Sequence, residues 1–180
     1  DMQLKSWQVE GQKFTGYIDN ASSGENYGLE IEGSFQATDN LLLTGSAGYL
    51  HTEINDFVAQ SGLDQDGRDQ AQAPKYQYAF TARYNFTPAL YASIGVEGKD
   101  DYYFSDSHNS QASSTNLVNA SFGYESDNWS INAWARNLFD EDVPTRGFEF
   151  GNDPLDGYAT HTYTQLGEPM VAGVTFIYEL

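Results

Sequence analysis

The chain has 180 residues, enough for one domain or a section of one, and 8 Lys+Arg against 26 Asp+Glu leave a formal net charge of −18. So acidic a surface repels phosphate backbones and excludes a nucleic-acid partner. The absence of cysteine excludes disulfide scaffolds, thiolate metal sites and cysteine catalysis.

In chain order, residues 1–9 read as an incomplete strand and 10–24 as a long polar link. From residue 26 the pattern alternates with period 2, which marks strands with one apolar and one polar face. Tyr27, Leu29, Ile31, Gly33 and Phe35 oppose Glu30, Glu32, Ser34 and Gln36; after a turn at 38–40, Leu41, Leu43, Ala47 and Tyr49 oppose Thr44, Ser46 and Gly48. A long link covers 57–73. Tyr76, Tyr78, Phe80, Ala82, Tyr84 and Phe86 then oppose Gln77, Thr81, Arg83 and Asn85. Past a turn at 87–89, Leu90, Ala92, Ile94 and Val96 oppose Tyr91, Ser93, Glu97 and Lys99. After a link at 105–114 come Val118, Ala120, Phe122 and Tyr124 against Asn119, Ser121 and Glu125. The turn 126–128 leads to Trp129, Ile131, Ala133 and Ala135 against Ser130, Asn132 and Arg136. A long loop at 143–162 precedes the last strand, 170–180, with Val174, Phe176 and Tyr178 against Thr175, Ile177 and Glu179.

Short turns thus alternate with long links, so long loops gather at one end of a sheet and tight turns at the other. Mid-strand charges on the polar faces (Glu30, Glu32, Arg83, Glu97, Lys99, Glu125, Arg136) suit a wet or plugged lumen rather than a dry sandwich core. Aromatics near strand ends (Tyr84, Phe86, Trp129, Tyr178) suit interfacial girdles. No apolar run approaches the ~18 residues of a membrane helix, but barrel strands show only alternation. The fold expected is all-β: an antiparallel transmembrane β-barrel section of seven to eight strands. A soluble antiparallel barrel with one wet face is the plainer alternative.

The C-terminal third resembles the end of a TonB-dependent outer-membrane receptor. The resemblance rests on Ala135-Arg136-Asn137-Leu138-Phe139-Asp140, similar to the family's "NLFD" segment, and on Gly167-Glu168-Pro169-Met170 before an aromatic final strand. Upstream, Asn20-Ala21-Ser22 and Tyr27-Gly28-Leu29-Glu30-Ile31-Glu32 resemble an earlier family strand. Met170 and Leu180 depart from the family's usual Arg and Phe. The resemblance implies that residues 1–180 are the C-terminal part of a 22-stranded barrel, without the plug domain through which such receptors meet TonB. It also implies outer-membrane lipid around the barrel, long loops outside the cell and short turns in the periplasm. The role implied is uptake of a scarce ligand of the siderophore-iron, cobalamin or oligosaccharide class, and not an enzyme's. A complete eight-stranded barrel used for adhesion or support is the runner-up.

His51, His108 and His161 stand in no ligand spacing, and Asp64-Gln-Asp-Gly-Arg-Asp69 lacks the closing Glu of an EF-hand, so neither a metal nor a cofactor is expected. The last long loop mixes cationic and aromatic groups: Arg146, Phe148, Phe150, Tyr158, His161 and Tyr163. Such groups suit a small-molecule ligand by stacking and hydrogen bonding. They equally suit packing of the loop against its neighbours.

Overall fold

The structure, a computed structural model, describes residues 2–10, 13–21, 23–59 and 62–179. Leu180, read as the end of the last strand, lies outside them, as do residues 11, 12 and 22 of the expected 10–24 link and 60 and 61 of the 57–73 link.

The strands in chain order are β1 (Met2–Glu10), β2 (Lys13–Ala21), β3 (Ser23–Thr38), β4 (Leu41–Asn55), β5 (Tyr76–Asn85), β6 (Leu90–Lys99), β7 (Tyr102–Tyr103), β8 (Gln111–Ala112), β9 (Thr115–Glu125), β10 (Trp129–Arg136), β11 (Pro144–Phe150), β12 (His161–Leu166) and β13 (Val171–Tyr178). Seven of them form one antiparallel sheet in the order β13-β10-β9-β6-β5-β4-β3. Every pairing joins neighbours along the main path of the chain, as an up-and-down barrel requires. The sheet does not close: β3 and β13 are its two edges, so the chain is a partial barrel.

Register carries the alternation across all seven strands. The row Phe35↔Leu43↔Ala82↔Ile94↔Ala120↔Ala135↔Ala172 lies on one face, and Ala92↔Phe122↔Ala133↔Val174 runs beside it. Opposed residues of an antiparallel pair share a face. The seven apolar sets therefore merge into one continuous surface and the seven polar sets into the other. That surface has no protein cover among the described residues: Leu29 is 72% exposed and Val174 66%. An apolar face of this extent is unfavourable in water and needs an apolar medium. Aromatics border it. Tyr49 pairs with Tyr76 at one end. At the other, Tyr84 meets Phe86 at 5.0 Å, Tyr124 stacks on Trp129 at 5.2 Å and Trp129 meets Phe176 at 6.2 Å. From Tyr76 to Tyr84 the strand runs about 26 Å at ~3.3 Å per residue, close to the height of a membrane barrel's apolar band once tilted.

The polar face is braced by aromatic rings laid over glycines. A Cβ on Gly123 would sit 2.4 Å from the Tyr91 ring, and one on Gly173 would sit 2.7 Å from Trp134. Arg83 stacks on the same Tyr91 at 3.6 Å and pairs with Glu125 at 3.2 Å. Trp134 also donates from Nε1 to Thr175 at 3.0 Å. These contacts pin register where a barrel strand would otherwise slip.

Two of the three short turns are built by threonine. Thr38 Oγ1 accepts from the amides of Asn40 and Leu41 at 3.3 and 3.1 Å; Thr87 Oγ1 accepts from Ala89 and Leu90 at 3.2 and 3.0 Å. Such side-chain turns reverse the chain in few residues. At the opposite end β3 and β4 outrun the sheet. Pairing continues from Gly28↔Leu50 to Ser23↔Asn55, roughly 20 Å past the last β4–β5 pair at ~3.3 Å per residue. The buried apolar clusters sit here too: Leu4, Ile54, Phe57 and Ala59 in one, Tyr102, Phe104 and Ala112 in the other.

Two expectations need correction. Residues 10–24 are not a long link, because Lys13–Ala21 is a strand paired residue for residue with β1. Tyr17 and Ile18 stand side by side there, which breaks the alternation that would reveal it. Residues 143–162, read as a long loop, contain a strand: β11 pairs with β12 from Gly147↔Thr164 to Phe150↔His161.

Candidate ligand site at the long-loop end

Three segments meet at the long-loop end: residues 62–75 between β4 and β5, residues 100–114 around β7 and β8, and the β11–β12 hairpin. Arg68 ties the first two together. It is buried, donating to the carbonyls of Ser105 and His108 at 2.9 and 3.1 Å and to Asn109 Oδ1 at 2.9 Å. Its guanidinium also lies 4.3 Å above the Tyr103 ring and 3.6 Å from Asp106. Burial pulls Arg68 down from its ordinary value, opposed by Asp106, Tyr103 and Asp69; burial likewise pushes Asp106 up, opposed by the Ala71 amide and Arg68. Both shifts mark a pair withdrawn from water. Gln65, fully buried, donates to the Asp106 carbonyl, and Gln72 donates to Phe104 at 3.0 Å.

The hairpin has two faces. Gly147, Glu149 and Thr162 turn towards residues 102–112: Phe104 covers Gly147, Ser110 bonds Glu149 and Thr162, and Tyr102 donates to the Pro144 carbonyl at 3.1 Å. Arg146, Phe148 and Phe150 alternate onto the other face with their partners Gln165, Tyr163 and His161. Phe150 stacks on Tyr163 at 4.6 Å, and the Tyr163 hydroxyl donates to Asn152 at 2.6 Å. His161 is held by Asp156 at 2.6 Å. The Arg146 side chain is exposed and has no hydrogen bond or ion pair among the described residues. Five of the six residues expected from the sequence, Arg146, Phe148, Phe150, His161 and Tyr163, thus share one exposed face. Tyr158 does not join them: it sits in the connecting tip with φ 61°, its amide bonded to Asp153 at 2.9 Å. Its ring is exposed.

Sequence reasoning missed Glu149, Gly147 and Arg68, which hold that face in place. The one legible signal was Arg68 itself, a lone cation inside the Asp64–Asp69 run. Below the hairpin, the polar face of the sheet forms an open depression of about 1220 Å³ lined by Glu30, Glu32, Gln77, Glu97, Lys99 and Thr115. Carboxylates and amides of this kind bind water and polar groups, and no three-residue metal cluster occurs among the described residues.

A second cluster fixes the base of the hairpin. Asn137, buried and left-handed at φ 48°, donates from Nδ2 to the carbonyls of Glu141 (2.9 Å) and Glu168 (3.2 Å). Its Oδ1 accepts from the Glu141 amide at 2.8 Å. Asp140 accepts from the Met170 amide at 2.7 Å, and Arg136 pairs with Glu168 at 2.7 Å. The Asn137–Asp140 segment is therefore a latch between the end of β10 and the approach to β13.

Comparison with known proteins places this architecture. The family described as TonB dependent receptor-like, beta-barrel, matches residues 5–138. The chain superposes on the ferric yersiniabactin uptake receptor FyuA from Yersinia pestis with a TM-score of 0.72 at 16% identity, covering 90% of this chain and 24% of that one. On the copper transporter OprC the TM-score is 0.72 at 17% identity, covering 99% and 26%. The siderophore receptor PiuA from Acinetobacter baumannii gives 0.67 at 19%, covering 86% and 21%. The chain spans about a quarter of the length of these proteins, and at such identities the likeness is one of fold. Together with the family match over most of its length, the open antiparallel sheet with one apolar and one polar face identifies the chain as a member of the TonB-dependent receptor β-barrel family.

Proposed function

We propose that this chain is a section of an outer-membrane uptake receptor of a Gram-negative bacterium. Its apolar face meets lipid, its polar face lines the lumen, and its long-loop end faces outward. Outer-membrane barrels keep periplasmic turns short and let outer loops grow, which supports that orientation. The whole receptor takes up a scarce small molecule and catalyses no bond chemistry. Energy comes from the TonB complex acting on a plug elsewhere in the receptor. Siderophore receptors among the structural neighbours support this reading.

The observation that carries the ligand assignment is the exposed hairpin face. It offers two stacked rings, a third ring in Phe148 and an unpartnered guanidinium, all in a chain of net charge −18. Stacking surfaces with one free cation select a ligand with flat unsaturated or sugar-ring faces and an anionic group. An iron chelate, a cobalamin or an acidic oligosaccharide fits. Arg146→Ala in the full receptor is expected to weaken binding of such a ligand about 10- to 100-fold, the equivalent of one charge-assisted hydrogen bond of ~1.5–3 kcal/mol. Titration with a ferric-siderophore panel, cobalamin and acidic oligosaccharides checks it. Binding left unchanged by Arg146→Ala and by Phe148→Ala/Phe150→Ala together contradicts the site.

A further inference from the structure

The tip of the hairpin, residues 151–160, is built without its tyrosine ring. Asp153 Oδ1 accepts from the Leu155 amide at 2.8 Å, and the Tyr158 amide donates to the Asp153 carbonyl at 2.9 Å. Asp156 accepts from the Ala159 amide at 3.2 Å through Oδ1 and holds His161 at 2.6 Å through Oδ2. None of these bonds uses the Tyr158 side chain. Its ring is 63% exposed and has no ring contact or hydrogen bond among the described residues. The backbone beneath it is left-handed at φ 61°, directly after Gly157 at φ 71°. Glycine takes that conformation without penalty, whereas a bulky side chain is strained in it. A strained residue whose ring adds nothing to the fold points to a role for the ring itself.

The position of Tyr158 suggests what that role is. A Cβ on Gly151 would collide with the Tyr158 carbonyl, so the chain at Tyr158 lies against the residue that follows Phe150. The Asp156–His161 bond ties the tip to the face that Phe150 and His161 share. Arg146 stands at the other end of that face, roughly 16 Å from Gly151 at ~3.3 Å per residue. Tyr158 and the free guanidinium thus bracket the stacked Phe150–Tyr163 pair. We propose that Tyr158 is a specificity-determining residue that extends the ligand site onto the hairpin tip. The site then takes an elongated ligand: an anionic group at Arg146, a flat ring on Phe150 and Tyr163, and a second ring on Tyr158. A compact ligand reaches only part of that span. This extension rests on the ligand reading above.

The test titrates the full receptor in lipid discs with oligogalacturonates of graded length, cyanocobalamin and a compact ferric tris-catecholate. Tyr158→Asn removes the ring but keeps a residue that tolerates the left-handed backbone. It is expected to weaken the best-bound extended probe about 3- to 10-fold, the worth of one ring contact, and to leave the ferric tris-catecholate unaffected. Tyr158→Phe restores the ring and should recover the lost affinity. Amide exchange without ligand gives a second readout. Relief of strain should slow exchange at Leu155 and Ala159 about 3- to 10-fold in Tyr158→Asn. Unchanged or faster exchange there overturns the proposal, because the ring would then cost the tip nothing or pack into the receptor. A panel in which no extended probe loses affinity to Tyr158→Asn overturns it too, as does a loss that Tyr158→Phe fails to recover. Arg146→Ala separates the two readings. If it weakens binding and Tyr158→Asn does not, the hairpin face stands and its extension onto the tip falls; if neither weakens binding, both fall.

Discussion

An arginine at Ile94 or Phe122 is expected to destabilise the barrel by about 2–4 kcal/mol in lipid, the cost of a guanidinium near the middle of the hydrocarbon. Both side chains lie on the apolar face, more than half exposed with no protein over them. Their chain neighbours Ser93 and Ser121 pair with each other on the polar face. Arginine at either serine has water and the lumen carboxylates nearby, and is expected to cost about 1 kcal/mol or less. The contrast between adjacent positions matters more than either value. A soluble sheet with this apolar face buried by a protein partner would also penalise Phe122→Arg, but the penalty would vanish in detergent without the partner. Reversible denaturant unfolding in lipid vesicles, one variant at a time, gives the comparison.

Asn137→Ala is expected to cost roughly 2–4 kcal/mol. It removes three hydrogen bonds made by one buried side-chain amide, two of them to backbone carbonyls. It also places an ordinary Cβ at φ 48°, where asparagine is tolerated and alanine is strained by about 1–2 kcal/mol. Asn137→Gly separates the two contributions. It loses the same hydrogen bonds without backbone strain, and is expected to unfold about 1 kcal/mol later than the alanine variant. Amide exchange should show the loss first at Glu141 and Met170, whose N–H groups are held by Asn137 and Asp140. Equal stability of the native, alanine and glycine proteins would mean that the segment joins β10 to β11 without latching anything.

The sheet was legible because alternation is a local property. Val96, Phe122 and Val174 fall on one face and Asn85, Ser121 and Thr175 on the other, as period 2 requires, with register bulges confined to Gln36–Thr38 and Pro144–Arg146 among the described strands. The three short turns were legible for a related reason, since Thr, Asp, Asn and Pro announce them within four residues. β2 was hidden where Tyr17 and Ile18 stand adjacent, because a strand held by one neighbour need not separate its faces cleanly. The hairpin was half legible. Arg146, Phe148 and Phe150 were singled out for their chemistry, yet their alternation went unused, since Thr and His supply much of the pairing strand. Arg68 was visible only as a lone cation in its run, and its burial was out of reach. An arginine among three aspartates reads as solvated, and its burial depends on carbonyls some 40 residues away. The family resemblance marked Asn137-Leu-Phe-Asp140, while its latch geometry came only from the structure.

That the apolar face meets lipid and the polar face a wet lumen is tested most directly by site-specific labelling in vesicles. Single cysteines at Ile94, Phe122 and Val174, and separately at Ser93, Ser121 and Thr175, would carry a spin label in the full receptor. Oxygen dissolved in the hydrocarbon should relax the first set strongly and a water-soluble nickel chelate should leave it untouched. The second set should show the reverse pattern or report immobilised polar surroundings. Agreement over three strands guards against a local bulge. If all six labels respond to the aqueous reagent and none to oxygen in the bilayer, the sheet does not cross a membrane.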